Sequence, residues 1–254
     1  MKSALNAICA GLVWLPMLAF GQVRSANVTA LIEELVAANH VLAAKDILDG
    51  WGHVSVRSPD NPAHYLMSRS LAPELVTADD IVEFDLDSVA IEPKGSRGYL
   101  ERYIHGEIYR ARPDVAAIVH NHSPTVISFG IGTTPLRPVF HQATFLLPGV
   151  PVWDYRAFGI DDGALVHTAE RGKALADALG DAAVVLMKNH GVAIVGTSVS
   201  MAVGRSIMLE QNAQMLNATL ARGDKVTYLE LTGDTSDTSF LRGWELWKQQ
   251  LETP

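Results

Sequence analysis

The stretch Ala116-Ala117-Ile118-Val119-His120-Asn121-His122-Ser123 decides how this chain is read. Its apolar run, Ala116 to Val119, predicts a buried strand, and side chains on a strand alternate between two faces. His120 and His122 therefore share a face, with Asn121 on the other. Two neutral imidazoles converging on one spot are the beginning of a divalent-metal site. By itself a His-x-His pair is more often a surface or hydrogen-bonded pair than a ligand set. The segment Val184-Val185-Leu186-Met187-Lys188-Asn189-His190-Gly191 repeats the context, an apolar run ending on a third histidine, His190, and the repeat points to a metal.

Immediately before the His-x-His strand, Leu100 to Ala111 has helical spacing, with Leu100, Ile104, Ile108 and Ala111 as its predicted buried stripe and Pro113 ending it. Glu101 and His105 are four apart and share a helix face. The loop Lys94-Gly95-Ser96-Arg97-Gly98 brings Glu101 to the helix start, within reach of the following strand. A carboxylate beside a metal-bound substrate suits proton transfer; the alternative is a helix-capping Glu with a surface His.

Around this pair the pattern predicts a helix over Thr29–Ala44 and strands at His53–Arg57, Tyr65–Met67 and Ile81–Leu86, with Val89–Ile91 as a hairpin partner. Short extended pieces broken by prolines fill Pro135 to Tyr155. A helix follows over Gly163–Leu179, strands at Ala182–Met187 and Val192–Val195, and a long helix over Ser198–Arg222. Trp244 and Trp247 are read as packing residues on a terminal helix. Strands and helices do not alternate strictly, so an α/β fold with a mixed, largely antiparallel sheet covered by helices is expected rather than a doubly wound one.

Composition sets the outer bounds. The chain has 254 residues, 48% hydrophobic and 19% charged, enough for one domain with a sizeable core. A formal net charge of -8 argues against a nucleic-acid partner, which needs a basic face. Residues 1–21 read as a secretory signal: Lys2 supplies a positive start, Ala4 to Phe20 is almost continuously apolar, and Ala19-Phe20-Gly21 offers small residues for cleavage. The alternative is an uncleaved anchor. Cleavage would place residues 22–254 in the periplasm or outside the cell, and would remove Cys9, the only cysteine. Thiolate is then unavailable for catalysis or ligation. No later stretch is long and apolar enough to span a bilayer.

The chain resembles the class II aldolase/adducin family. The matches are Gly52-His53-Val54-Ser55-Val56-Arg57, Leu75-Val76-Thr77-Ala78-Asp79-Asp80-Ile81-Val82, Glu101-Arg102-Tyr103-Ile104-His105-Gly106-Glu107-Ile108-Tyr109, Arg112-Pro113-Asp114-Val115 with the His-x-His strand, and His190-Gly191 with Gly196. The resemblance implies a three-layer α/β/α sandwich, one divalent metal per chain on His120, His122 and His190 (zinc ahead of manganese, iron or cobalt), Glu101 as catalytic acid/base, and a homotetramer. Sugar-phosphate aldolases of the family carry Ser-Ser just before the Glu; here those positions are Tyr99 and Leu100. Their phosphate-loop residues are Arg69 and Ser70 here, and their Asn is His53. A phosphate cradle needs small residues and hydroxyl donors, whereas Arg69 offers a planar fork suited to a carboxylate. A small-molecule hydroxy- or aromatic carboxylate, not phosphorylated, is therefore the expected substrate, with Arg69, Ser70, His53 and His141 as its contacts. His40, His64 and His167 are read as solvent-facing or capping. The leading expectation is a metal-dependent carbon–carbon lyase acting by decarboxylation or retro-aldol cleavage. An epimerase, an iron oxygenase and a non-catalytic adducin-like interaction protein are the alternatives.

Overall fold

The computed structural model describes residues 25–92, 97–147, 149–159, 163–230 and 240–252. The expected signal, residues 1–21, lies outside them, as do Lys94, Gly95 and Ser96 of the loop before Glu101.

Seven strands form one sheet: β1 (His53–Arg57), β2 (His64–Ser68), β3 (Ile81–Asp85), β4 (Ala117–Asn121), β5 (Val152–Trp153), β6 (Val184–Met187) and β7 (Gly191–Gly196). Their order is β3-β2-β1-β4-β7-β6-β5, and every pairing is antiparallel except β5 with β6. Helices α1 (Ala26–Ala44), α3 (Pro124–Ile131), α5 (Val199–Ala221) and α6 (Phe240–Glu252) pack with Val54, Val56, Ala117, Val119, Val192 and Ile194 on one face. Helices α2 (Arg102–Ala111) and α4 (Ala169–Leu179) pack with Tyr65, Met67, Ile118, Val185, Ala193 and Val195 on the other. This is the expected α/β/α sandwich with a mixed, mostly antiparallel sheet. Each fully buried Val, Ile or Met among them contributes about 1.5–3 kcal/mol against exposure, so both faces hold the sheet.

The period of two fixes where the chemistry falls. Ala117 and Val119 enter the α1/α5 layer while Ile118 enters the α2/α4 layer, so His120 joins Ile118 beside α2. His53 is its direct cross-strand partner on β1. Gly172 lets α4 lie on α2; a Cβ there would come within 2.5 Å of the Tyr103 carbonyl oxygen.

Several expectations need correction. Helix α2 begins at Arg102, and Leu100 and Ala111 are exposed; its inward face is instead Ile104, His105, Ile108 and Tyr109. His105 is thus a buried histidine, not a surface one. Helix α4 begins at Ala169 rather than Gly163, because Thr168 caps it by accepting the Arg171 N–H while residues 163–168 form no helix and bond to the site through Ala164 and Val166. Residues 89–91 do pair antiparallel with β3 as the expected hairpin partner, though only through an isolated Phe84–Ala90 bridge, with the Asp85 N–H donating to the Val89 carbonyl and the Ile91 N–H to that of Glu83. Among its described residues the proline-broken stretch yields only β5 as strand, and His141–Leu146 is a 3-10 turn rather than an extended piece. Trp244 is buried on α6 as read, and Trp247 packs against the same core.

Candidate metal centre

The three histidines meet at one end of the sheet. His120 occupies the penultimate position of β4 and His122 lies just beyond its end. His190 sits in the tight turn between β6 and β7, where Asn189 adopts φ 57°, a left-handed conformation that asparagine tolerates better than most side chains. Gly191 is required by space: a Cβ there would sit 2.5 Å from the Asn121 carbonyl oxygen and 3.1 Å from ring carbons of both His120 and His122.

Each ring is held through its Nδ1. His120 Nδ1 lies 3.1 Å from the Val192 carbonyl oxygen and His190 Nδ1 3.0 Å from that of Ala164. His122 Nδ1 lies 3.2 and 3.1 Å from the two Asp49 carboxylate oxygens. These oxygens can only accept, so all three Nδ1 atoms carry hydrogen and the Nε2 atoms present lone pairs. His120 Nε2 and His122 Nε2 face each other at 3.0 Å. His190 Nε2 is buried and lies 3.2 Å from Glu101 Oε2 without the alignment of a hydrogen bond. Four ligand atoms, one each from Glu101, His120, His122 and His190, lie within 4.8 Å of one another and repel unless a cation, a proton or a metal ion, sits between them. A cation resolves that repulsion. Nitrogen donors of this number suit a divalent transition metal or zinc, and partners fixing the far ring nitrogen are the usual support for such ligands.

Glu101 is the N-cap residue of α2, yet its side chain does not cap the helix. Oε1 accepts the Val166 N–H at 2.7 Å, and Oε2 lies 3.6 Å from His120 Nε2. Burial works against the charge of Glu101, but the adjoining imidazoles of His120 and His190 outweigh it and hold the carboxyl far below the usual carboxylate range. Burial pulls His120 down to about 4, which keeps it neutral. Burial opposes protonation of His190 too, yet the Glu101 carboxylate beside it moves that ring upward.

A cavity of about 400 Å³ opens over this cluster, lined by Trp51, His53, Ser70, Tyr99, Leu100, Glu101, His122, Leu165 and His190. His53 and Ser70, read from the sequence as substrate contacts, are among the residues lining it. Arg69 does not; its Nε donates to Asp80 Oδ1 at 2.7 Å. His141 is exposed at the start of its 3-10 turn and is not among the lining residues. The Tyr99 ring packs 4.6 Å from that of His53, while its hydroxyl is taken up by the Leu71 carbonyl and Ser68. His40 and His64 are bound elsewhere, to the Val76 carbonyl and Glu83.

Three contributors escaped the sequence reading. Asp49 accepts the N–H groups of Trp51 and Gly52 at 2.9 and 2.8 Å as well as His122, tying a loop of the cavity wall to a metal ligand. Burial opposes its charge, but those donors hold it below the ordinary aspartate value. Trp51 is 76% exposed at the cavity mouth, and Leu165 completes the wall from the segment before α4. An Asx turn over Asp49–Gly52 was the available signal for Asp49; nothing local marks Leu165.

The profile of the class II aldolase and adducin N-terminal domain matches residues 33–217. Decarboxylase tropJ of Talaromyces stipitatus is 34% identical over 250 residues, covering 87% of this chain and 94% of that protein. A 3,4-dihydroxyphthalate decarboxylase of Rhodococcus jostii is 31% identical over 202 residues, covering 73% and 79%. Among solved structures, an aldolase II superfamily protein from Pseudomonas syringae superposes with a TM-score of 0.77 at 23% identity over 90% of this chain and 94% of its own. The L-fuculose 1-phosphate aldolase of Glaciozyma antarctica does so with 0.74 at 25% identity over 89% and 91%.

Proposed function

Because the chain belongs to the class II aldolase and adducin family, we propose that it is a metal-dependent carbon–carbon lyase that decarboxylates a non-phosphorylated, hydroxylated aromatic carboxylate. The observation that carries this is the convergence of three tautomer-fixed Nε2 atoms on an ionised Glu101, under a cavity walled by Trp51, Tyr99, Leu100 and Leu165. The similarity to two decarboxylases supports the reaction class. A divalent cation held by His120, His122 and His190 supplies Lewis-acid stabilisation of charge developing on a substrate oxygen.

The chain's own groups do the rest. Glu101, ionised at rest, takes the proton of a substrate hydroxyl on the oxygen not engaged by Val166 N–H. Glu101 delivers that proton to the ring carbon bearing the carboxylate, so the group ends as it began. The bond to the carboxylate then breaks, carbon dioxide leaves, and its electron pair restores the aromatic ring. Trp51, Leu100 and Leu165 offer apolar surface to the substrate ring. Tyr99 and Leu100 occupy the wall with bulk and spend the Tyr99 hydroxyl on Leu71, leaving a surface that stacks a flat ring better than it cradles a phosphate. Retro-aldol cleavage of a hydroxy acid would use the same proton transfer and is the second outcome for the assay.

The test pairs metal analysis with a product screen. Purified protein is expected to hold about one zinc or other divalent ion per chain and to release carbon dioxide from dihydroxybenzoates and dihydroxyphthalates, with no turnover of sugar phosphates. Glu101→Gln should slow turnover by about 10²- to 10⁴-fold, the usual range for a lost acid/base. Full metal occupancy in a His120→Ala, His122→Ala double variant, or parental turnover by Glu101→Gln, refutes the assignment. The reading extends to assembly: a homotetramer placing His141 at a neighbouring chain's cavity is checked by light scattering, and a monomer overturns that part.

A further inference from the structure

Behind the cavity wall, four polar side chains form a single buried file. Tyr109 Oη lies 2.8 Å from Ser55 Oγ, Ser55 Oγ lies 2.6 Å from His105 Nδ1, and His105 Nε2 lies 2.7 Å from His53 Nδ1. None of the four residues is more than 1% exposed. Ser55 and His53 share the α2 side of β1, and His105 and Tyr109 are four apart on α2, so sheet and helix each supply two members.

The file can be satisfied in one direction only. Among the described residues the Tyr109 hydroxyl has no other acceptor, so its proton goes to Ser55. Ser55 then donates to His105 Nδ1, and His105 carries its hydrogen on Nε2 and donates it to His53 Nδ1. That leaves the His53 hydrogen on Nε2, which has no partner among the described residues, on a ring that lines the cavity. Reversing the file would strand the Tyr109 proton in the core, at a cost of about 1–3 kcal/mol. An imidazolium at either ring would be buried with no carboxylate in hydrogen-bond contact.

We propose that this file makes His53 a fixed hydrogen-bond donor to the substrate, and the residue that selects an anionic oxygen, a carboxylate, beside the metal centre. The proposal rests on the lyase reading above and adds the group that holds the acid. His53 is suited by position: its ring lies 5.0 Å from that of His120 and 4.6 Å from that of Tyr99. A neutral ring locked as a donor attracts an acceptor-only oxygen and turns away a group that itself presents a hydrogen there. Tyr109, Ser55 and His105 act through His53 and are positioning residues. Arg69, engaged with Asp80 and outside the lining, leaves this role open.

The test reads the tautomer directly. Long-range nitrogen–proton correlation spectra of ¹⁵N-labelled, metal-free protein at neutral pH should show both His53 and His105 as Nε2–H forms, the His53 signals being identified by their loss in His53→Phe. In zinc-loaded protein, 2,3-dihydroxybenzoate should bind about tenfold more weakly to His53→Phe than to the parent, the loss expected for one hydrogen bond to an anion, with zinc content unchanged. Ser55→Ala, which removes the donor to His105, should convert the His53 signals to a mixture of tautomers. A His53 in the Nδ1–H or doubly protonated form overturns the proposal, as does parental affinity in His53→Phe. Protein that takes up no zinc while showing the Nε2–H form refutes the lyase reading instead, so the two failures are distinguishable.

Discussion

Replacing Asp49 by Asn should weaken metal binding although Asp49 is no ligand. The Asp49 carboxylate does two things at once: it accepts the Trp51 and Gly52 N–H groups at 2.9 and 2.8 Å, and it accepts His122 Nδ1–H at 3.1 Å. An asparagine keeps an oxygen for the two backbone donors, so the turn survives. Its amide then faces His122 with hydrogen rather than a lone pair. The ring is driven toward the form with hydrogen on Nε2, which cannot ligate, and the negative charge facing its Nδ1–H is gone. Loss of such a supporting partner costs about 10- to 100-fold in metal affinity, or about 1.4–2.7 kcal/mol. Asp49→Ala should add the loss of both turn hydrogen bonds, about 1 kcal/mol each on the stability of the metal-free protein. Competition with a chelator of known zinc affinity measures the first effect, and urea unfolding of the metal-free forms measures the second. If Asp49→Asn holds zinc within twofold of the parent, the argument from the far ring nitrogen is wrong.

Three further outcomes follow from the same geometry. Gly191→Ala should lower zinc content while leaving the fold intact, because the new methyl group displaces both the His120 and His122 rings and the Asn121 carbonyl; an unchanged zinc content in a folded variant contradicts it. Metal-free protein should lose stability as pH falls from about 6.5 toward about 4. His120 is held down at about 4, and His53 and His105 lie well below their ordinary value, by burial first and by neighbouring histidines second. The unfolded chain therefore binds more protons than the native one across that window, each group contributing up to about 1.4 kcal/mol per pH unit. His190, shifted upward, opposes this with stability that is present at low pH and fades as pH rises through its native value. Denaturant midpoints measured from pH 7 to 4.5 give the net sign, and a flat profile refutes the accounting. Finally, we propose that the mature chain begins near Gln22 and is recovered from the periplasm or medium; an intact Met1 on cytoplasmic protein by mass spectrometry refutes it.

Much of the molecule follows from sequence alone because two periodicities are local. The period-two pattern of Ala117–His120 placed His120 on the same side as Ile118, and the apolar runs ending at His120 and His190 identified the strands whose ends meet. The loop before α2 put Glu101 within reach of the following strand, but the sequence left open that its carboxylate would cap the helix instead, which it does not. What sequence could not supply was set by groups distant in the chain. Residues 163–168 look helical by composition, but the Glu101 carboxylate, the His190 ring and the Arg171 guanidinium bind their backbone from outside, and those bonds win over a weak helical preference. Leu100 fits a buried stripe by spacing, yet the helix begins two residues later and leaves it at the cavity mouth. His105 reads as a surface histidine until β1 is laid beside α2, where Ser55 and His53 take both its nitrogens. The sequence by itself determined which side chains could do chemistry, since residue type and strand parity are local. Tertiary structure alone decided which tautomer each histidine carries, since that depends on acceptors as far off as Asp49, Ala164 and Val192.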